Sequence, residues 1–164
     1  MHGDSYPHPY AKTQNMAVNP IPDGYHSVTP FLTVKGAAKL MEFVKQAFDA
    51  KEIHCMNRRD GTIGHAAVRI GDSIVEMAEA SVDLKPMPGA IHLYVSDTDV
   101  TYERALQSGA TSLHTPMDMF YGERGAAVKD PVGNYWYIAT HTEDVSRHEL
   151  EKRSDVFMKP KRRS

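Results

Sequence analysis

The sequence predicts an α+β fold made of two tandem modules, each with the order strand, helix, strand, strand, strand. Two observations lead to this prediction. The same succession of alternating runs around one helical pattern occurs twice along the 164 residues, and residues 66–69 (AAVR) have a counterpart in residues 126–129 (AAVK). With 41% hydrophobic and 24% charged residues, the chain is long and apolar enough for two small modules that share one core.

The first module is predicted over residues 25–80. Its strand, its helix and its three further strands fall at residues 25–34, 35–50, 52–58, 62–70 and 73–80. The helix is predicted from apolar residues that recur at helical spacing. Asp60-Gly61 and Gly71-Asp72 separate the last three strands, and both dipeptides favour the positive φ angles of two-residue hairpins. Residues 84–89, which contain two prolines, predict a linker to the second module.

The second module is predicted over residues 90–141. Its strands fall at residues 90–96, 110–115, 126–129 and 135–140, and its helix runs from Asp97 or Asp99 to about Ser108. Residues 116–125 are predicted as a loop. The segment Asp130-Pro131-Val132-Gly133 has the residues of a type I turn, because the aspartate can bond the backbone ahead and the proline pre-sets φ.

Both ends of the chain are predicted to lie outside the domain, which we place at residues 23–147. Residues 1–22 are polar and contain four prolines, a composition typical of a disordered arm. Residues 146–164 are predicted to form a C-terminal helix and a basic tail. Ser146 and Glu149 have the spacing of a capping box at the start of this helix.

Charge and composition exclude several classes of partner. The formal net charge of −2 offers no electrostatic reason to bind nucleic acid or an anionic membrane surface. No apolar run is long enough to span a bilayer, and the N-terminus lacks the apolar core of a secretory signal. Cys55 is the only cysteine, so no internal disulfide can form, and we expect a cytoplasmic location.

Three motifs near the end of the second module carry a resemblance to a known family. These are Tyr121-Gly122-Glu123-Arg124, then Asp130-Pro131-x-Gly133-x-x-Trp136, then Ala139-Thr140-His141-x-Glu143-Asp144-Val145-Ser146. Together they resemble the vicinal oxygen chelate superfamily of glyoxalase I, bleomycin-resistance proteins and extradiol dioxygenases, and above all its small bacterial glyoxalase-like subgroup. The resemblance covers residues 25–147. It implies sheets that curve around a cavity, and a homodimer in which both chains contribute to each cavity.

The resemblance also implies where a metal would bind. Metal-using members take His, Gln or Glu ligands from the first and last strand of each module, and the matching positions here are Thr29, Glu76, Ala90 and Tyr137. Only Glu76 has a side chain that binds metals, and one carboxylate is too little to hold a divalent cation. A shift of one residue in the last strands brings no further ligand. We therefore predict no cofactor and no metal site.

Alternation along the strands predicts an aromatic cavity wall. The candidate ligand-binding residues are Thr29, Phe31, His92, Tyr94, Tyr121, Arg124, Tyr135 and Tyr137. Such a wall suits flat, partly apolar ligands that stack on rings. Two of these residues have an equally good alternative interpretation. His92 can be a core histidine, and Arg124 can form a surface salt bridge with Glu123 or another acid instead of binding an anionic ligand group.

Glu76 is the candidate catalytic residue. It interrupts the apolar run from Ile74 to Ala78, where an unpaired carboxylate is costly unless it faces water or a cavity. If it faces the cavity, it is a candidate general base for taking a proton from a carbon next to a carbonyl. The alternative is that Glu76 points outward and serves only solubility.

Three functions follow from these expectations. The first is a protein similar to bleomycin-resistance proteins, which binds a small, partly aromatic or apolar molecule in a cavity without a full set of metal ligands. The second is a metal-dependent lyase, isomerase or dioxygenase, with His92, His141 and Glu76 as ligands. The third is an interaction subunit whose cavity is vestigial. The sequence does not decide whether the protein is an enzyme.

Overall fold

Two four-stranded sheets and three helices make up the part of the chain that the computed structural model describes, residues 18–157. In chain order the elements are β1 (Phe31–Val34), α1 (Ala37–Phe48), β2 (Lys51–Asn57), β3 (Ile63–Ile70), β4 (Ser73–Glu79), β5 (Ala90–Tyr94), α2 (Thr98–Gln107), β6 (Thr111–Met119), β7 (Glu123–Lys129), β8 (Tyr135–His141) and α3 (Arg147–Phe157). No helix within this range is long and apolar enough to cross a membrane.

The two sheets have the same topology. Their strand orders are β1-β4-β3-β2 and β5-β8-β7-β6. In each sheet the first strand runs parallel to the last, while the other neighbours are antiparallel. The pair Leu32–Met77 in the first sheet corresponds to Leu93–Ile138 in the second. The predicted fold of two tandem βαβββ modules is therefore confirmed.

The helices cover one face of each sheet and join the modules. Helices α1 and α2 contact each other, and each contacts the sheet of its own module. Phe48 of α1 packs on Trp136 of β8 with ring centroids 4.7 Å apart, inside one hydrophobic cluster that draws on both modules. Along β8, Trp136 and Ile138 are fully buried, whereas Tyr135 and Tyr137, which alternate with them, are exposed. Each sheet thus keeps an uncovered side, which we call its open face.

A buried aspartate fixes the hairpin between β7 and β8. Asp130 Oδ1 accepts hydrogen bonds from three successive backbone amides, those of residues 132–134, at 2.8–3.0 Å. The Gly133 amide also donates to the Asp130 carbonyl, as in a type I turn. The turn predicted from the sequence is therefore confirmed, and it sets the register of β7 against β8.

Strand boundaries differ from the sequence prediction at three places. Strand β1 begins at Phe31 and not at residue 25, since Pro30 lacks an amide hydrogen for a ladder. Strand β6 continues to Met119, and β7 begins at Glu123 and not at residue 126. Pro116 was expected to end β6. It is tolerated because β6 is an edge strand whose register is irregular between His114 and Met117.

The termini are described only in part. Residues 18–22 form no helix or strand, and the rest of the predicted arm lies outside the described residues, as does the basic tail after Phe157. The predicted C-terminal helix is present as α3. Ser146 Oγ accepts a hydrogen bond from the Glu149 amide at 3.3 Å, which is the N-terminal contact that the capping box predicts.

Candidate functional site

A small recess on the open face of the second sheet contains a buried acid. We call it the module-two recess. It has a volume of about 120 Å³ and is lined by His92, His114, Met119, Tyr121, Glu123, Gly125, Ala126, Tyr137, Ile138 and Ala139. Glu123 is only 9% exposed, although glutamate is seldom buried without a partner. This combination of aromatic rings and one enclosed carboxylate is the most distinctive feature of the open face.

Strand register brings these side chains together. The Asp130 turn pairs Glu123 with His141 and Ala127 with Tyr137. Parallel pairing of β5 with β8 sets His92 beside Tyr137. Because side chains alternate across a strand, Glu123 lies on the open face and its neighbour Arg124 lies on the helix-covered face.

Glu123 is linked to Tyr94 and His92. Its Oε1 accepts a hydrogen bond from the Tyr94 hydroxyl at 2.6 Å, and its Oε2 lies 3.8 Å from His92 Nε2. The rings of His92 and Tyr94 are stacked, with centroids 4.7 Å apart. The hydrogen bond to Glu123, followed by burial, raises the pKa of Tyr94. The pKa of Tyr121 is also raised, first by burial and then by the negative charge of Glu123.

A larger groove adjoins the recess. It has a volume of about 310 Å³ and lies between the hairpin at Gly71-Asp72, the segment before β1, and strand β5. His92 lines both the groove and the recess, and Tyr94 lines the groove. The two depressions therefore meet at His92.

The open face of the first sheet carries a second polar group, which we call the module-one cluster. It consists of Phe31, His54, His65 and Glu76. Glu76 Oε1 lies 3.4 Å from His65 Nε2, and His65 Nδ1 lies 2.9 Å from His54 Nε2. Phe31 stacks on the His65 ring at 6.0 Å. Glu76 thus faces the open side of the sheet and not the helices, and it forms one end of a chain of three polar groups in contact.

The predicted ligand-binding residues divide into several sets. His92, Tyr94, Tyr121 and Tyr137 gather around Glu123, whereas Phe31 lies on the other sheet with Glu76. His92 is exposed, so its interpretation as a core histidine is wrong. Tyr135 shares the open face of β8 but does not line the recess.

Two predicted residues lie elsewhere. Thr29 precedes β1, and its hydroxyl donates to the His26 carbonyl at 3.1 Å. Arg124 binds acids on the helix-covered side of β7: its Nη2 is 2.8 Å from Asp99 and its Nη1 is 3.0 Å from Asp118. The salt-bridge interpretation of Arg124 is therefore correct, with partners other than Glu123.

The side chains of His92, His141 and Glu76, which the metal-dependent alternative requires as ligands, do not lie close together. Glu76 belongs to the first sheet, while His92 and His141 belong to the second. His92 pairs with Tyr137, four residues before His141, and four residues of strand span about 13 Å. Within residues 18–157, no three His, Cys, Asp or Glu side chains are grouped as metal ligands. The residues present do not fit the metal centre of the metal-using members.

Sequence reasoning misses four polar residues of these sites, Glu123, His54, His65 and His114. Glu123 falls in a predicted loop, because the predicted β7 begins three residues too late. The three histidines have no ligand-like spacing along the chain, so the sequence suggests no role for them. The turn at Gly71-Asp72 contained part of the missing signal, since continuing its register sets Glu76 opposite Ala67. His54 lies on the other side of Ala67 only because the register of β2 shifts between Met56 and Asn57, which the sequence does not display.

Comparisons with known proteins agree with this architecture. The model of the glyoxalase/bleomycin resistance protein/dioxygenase superfamily matches residues 24–138. An uncharacterized protein of Mycobacterium bovis is 33% identical over 147 residues, which cover 83% of this chain and 94% of that protein. A protein of Mycobacterium tuberculosis is equally similar over 83% of this chain and 84% of its own length.

Solved structures share the fold at low identity. TioX from Micromonospora superposes with a TM-score of 0.60 at 22% identity, covering 70% of this chain and 97% of that one. TnmS3, an antibiotic binding protein from Streptomyces, superposes with a TM-score of 0.57 at 17% identity, covering 77% and 99%. The duplicated topology and the match of the family model over most of the described chain lead to one conclusion: this protein belongs to the glyoxalase/bleomycin resistance protein/dioxygenase superfamily.

Proposed function

We propose that this protein binds a flat, partly aromatic small molecule on the open face of its second sheet, without a metal cofactor. One observation carries the proposal: aromatic rings and an imidazole surround the module-two recess and continue into the adjoining groove. Tyr94 and Tyr137 are 61% and 42% exposed, although large aromatic side chains are usually covered. Exposed rings that line a concavity offer stacking surface to a planar ligand.

The dimensions support a ligand of modest size. The groove of about 310 Å³ is at the lower end of the range for small-molecule sites. The recess adds a polar contact point at one end of this volume. Two depressions beside α3, of about 460 and 310 Å³, also carry aromatic rings, those of Phe120, Tyr121 and Phe157, but neither is lined by a buried acid.

The comparisons favour binding as the general class of function. TnmS3 is described as an antibiotic binding protein, and it shares the fold of this chain. Fold likeness alone does not transfer a ligand. The aromatic open face is the independent reason to extend a binding function to this chain.

We further propose that the protein forms a homodimer in which the second chain covers the open faces. Exposed apolar residues lie on one edge strand of each sheet, with Ile53 and Met56 on β2 and Leu113 and Met117 on β6. Uncovered edge strands with apolar side chains favour pairing with another chain. A second copy would also close the open side of the groove.

The binding proposal is tested with 1-naphthylmethanol, a neutral planar probe, by NMR titration of the aromatic side-chain signals. We expect the His92, Tyr94 and Tyr137 signals to shift in a saturable way. Tyr137→Leu should weaken binding several-fold more than Tyr135→Leu. These two tyrosines share a strand and a face and have similar exposure, but only Tyr137 lines the recess. Saturation of signals elsewhere with these three unmoved would contradict the proposal.

A second candidate function is metal-free proton abstraction by the module-one cluster. The observation that favours it is the contact of the Glu76 carboxylate with His65, which in turn contacts His54. A carboxylate and an imidazole in contact can take a proton and pass it on. In this candidate Glu76 keeps its predicted role as general base.

Nitrogen chemical shifts of the histidine rings test that candidate at its first step. Glu76→Gln should change the tautomer balance of His65 and shift its ring nitrogens, because the negative charge 3.4 Å from Nε2 is lost. Glu42→Gln, on an exposed position of α1, is the control and should leave His65 unchanged. Unchanged His65 signals in Glu76→Gln would argue against a working proton path.

A further inference from the structure

Resting on the binding function proposed above, we propose that Glu123 makes the module-two recess a site for a cationic head group, so that the ligand is a flat aromatic compound carrying a protonated amine. The Tyr94, Tyr121 and Tyr137 rings would enclose that head group. The inference names the chemical class of the ligand.

The first step is that Glu123 is a buried acid without a lysine or arginine partner. Its side chain is 11% exposed. Among the described residues, no Lys or Arg nitrogen lies within 4 Å of its carboxylate, and the one imidazole nearby, that of His92, stands at 3.8 Å. The adjacent Arg124 is committed to Asp99 and Asp118 on the other side of the sheet. A buried carboxylate without a countercharge is costly.

The second step concerns the two carboxylate oxygens. Oε1 is satisfied by the Tyr94 hydroxyl at 2.6 Å. Oε2 receives no hydrogen bond from the part of the chain that is described, and it is not among the fully buried unsatisfied atoms. An open acceptor atom is therefore available at the recess. An ammonium group has three donors and a positive charge, so it can satisfy this oxygen and offset the desolvated charge together.

The third step is the character of the walls. Aromatic rings attract cations through their electron-rich faces, most strongly where water is excluded. Tyr94, Tyr121 and Tyr137 surround the acid, and the charge of Glu123 acts on both Tyr94 and Tyr121, as their raised pKa values indicate. Rings combined with one acid favour an amine over a carboxylate or a phosphate.

The fourth step is size. A recess of about 120 Å³ accommodates a head group and not a complete polycyclic ligand. The aromatic part would extend past His92 into the groove of about 310 Å³. The expected ligand is therefore elongated, with its amine at one end.

Other titratable groups that face this region set the conditions of the test. His92 and His114 line the recess, while His141 lies opposite Glu123 in the strand register and is bound to Asp144 at 2.9 Å. A protonated His92 would compete with an amine for Glu123. The measurement is therefore made near pH 8. At that pH most imidazoles are neutral, because the ordinary pKa of histidine is about 6.5.

Three probes with the same naphthalene ring and different charges separate the effect of charge on affinity from the effect of shape. They are 1-naphthylmethylamine, which is a cation near pH 8, 1-naphthylmethanol, which is neutral, and 1-naphthoate, which is an anion. We expect the amine to bind the wild-type protein at least about tenfold more tightly than the alcohol, with the naphthoate weakest. In Glu123→Gln the preference for the amine should largely disappear, so that the affinities for amine and alcohol differ by less than a factor of about two. Glu42→Gln, the remote control, should keep the full preference.

Each contrary result has its own meaning. If the wild-type protein binds amine and alcohol equally at the recess signals, the cationic inference is overturned while the proposed flat-ligand site stands. A preference for the naphthoate overturns it as well, as does an amine preference that survives in a folded Glu123→Gln protein. If Glu123→Gln does not fold, the three probes on the wild-type protein and on Tyr94→Phe still decide. Tyr94→Phe keeps the ring and the acid, so it should retain the amine preference.

Discussion

The indole Nε1 of Trp136 donates a hydrogen bond to Asp130 Oδ2 at 3.0 Å, in a part of the core where both side chains are almost completely buried. The same carboxylate accepts from the Asn134 side chain and from three backbone amides of the turn. One acid thus ties the type I turn of the second module to the aromatic centre of the shared core.

Asp130→Ala should therefore destabilise the protein strongly. Five donors lose the carboxylate, although the Gly133 amide keeps the Asp130 carbonyl. The Asn134 and Trp136 donors are buried, and each buried unsatisfied group costs about 1–3 kcal/mol before relaxation. We expect the free energy of unfolding in urea to fall by about 3 kcal/mol or more. Asp60→Ala is the matched control, because Asp60 also accepts from a turn amide but is exposed, and it should cost less than about 1 kcal/mol. Similar losses in the two variants would refute this role of Asp130.

The N-terminal cap of α1 is supplied by Glu79, a residue of strand β4. The helix begins after Gly36, which has no side chain to cap it, and Glu79 at the end of β4 accepts hydrogen bonds from the Gly36 and Ala37 amides at 2.8–3.1 Å. A carboxylate at this end also favours the helix dipole. Glu79→Ala should lower the free energy of unfolding by about 1–2 kcal/mol. Glu42→Ala on the exposed face of α1 is the reference, and an equal effect there would contradict the cap.

Ionisation of the recess tyrosines should depend on Glu123. The hydrogen bond to Glu123 raises the pKa of Tyr94, and burial followed by the charge of Glu123 raises that of Tyr121. Because the folded-state values are raised, their contribution to stability is complete below the ordinary tyrosine value of about 10 and is lost as the pH rises through the folded values. Tyrosinate absorbance in Glu123→Gln should therefore appear at lower pH than in the wild-type protein. Superimposable titration curves would mean that Glu123 does not act on these phenols.

The proposed homodimer makes a direct prediction for light scattering. At micromolar concentration the measured mass should be about twice the chain mass of 18.3 kDa. Met56→Glu on β2 and Met117→Glu on β6 should shift the protein towards monomer, because both residues are exposed on edge strands and a charge there opposes pairing. Val100→Glu, at an exposed position of α2, serves as the control. A wild-type mass near that of one chain would contradict the dimer.

Much of the fold could be predicted because the local signals agree. The two-residue hairpin at Gly71-Asp72, the Asp130 turn and the repeated helix pattern are all short-range features, and each is present where it was expected. The hairpin at Asp60-Gly61 is present too, but its loop is longer than two residues and only Gly61 has the positive φ that was expected of both. Alternation also identified the buried side of β8 correctly, with Trp136 in the core and Tyr137 on the open face. These features depend on neighbours in the chain, which a sequence displays directly.

The site was less predictable because it depends on pairing between strands. Pro116 and Gly125 made residues 116–125 look like a loop, yet an edge strand tolerates the proline and β7 includes the glycine. The role of Glu123 follows only once β7 is known to reach it. The position of Arg124 was hard to predict for the same reason. It directly follows Glu123, so its side chain lies on the opposite face of β7, where its partners are Asp99 of α2 and Asp118 of β6.

The open faces of the two sheets have the same backbone arrangement but carry different side chains at equivalent positions. On the open faces, Phe31 in the first sheet corresponds to His92 in the second, and Glu76 corresponds to Tyr137. The next residues along the strands, such as Leu32 and Leu93, remain apolar beneath the helices in both sheets. Residues that stabilise the fold thus alternate along each strand with residues that determine the chemistry of the open face. A randomised library confined to every second residue should therefore yield mostly folded proteins with altered ligand preference, which makes this scaffold a practical starting point for engineered receptors.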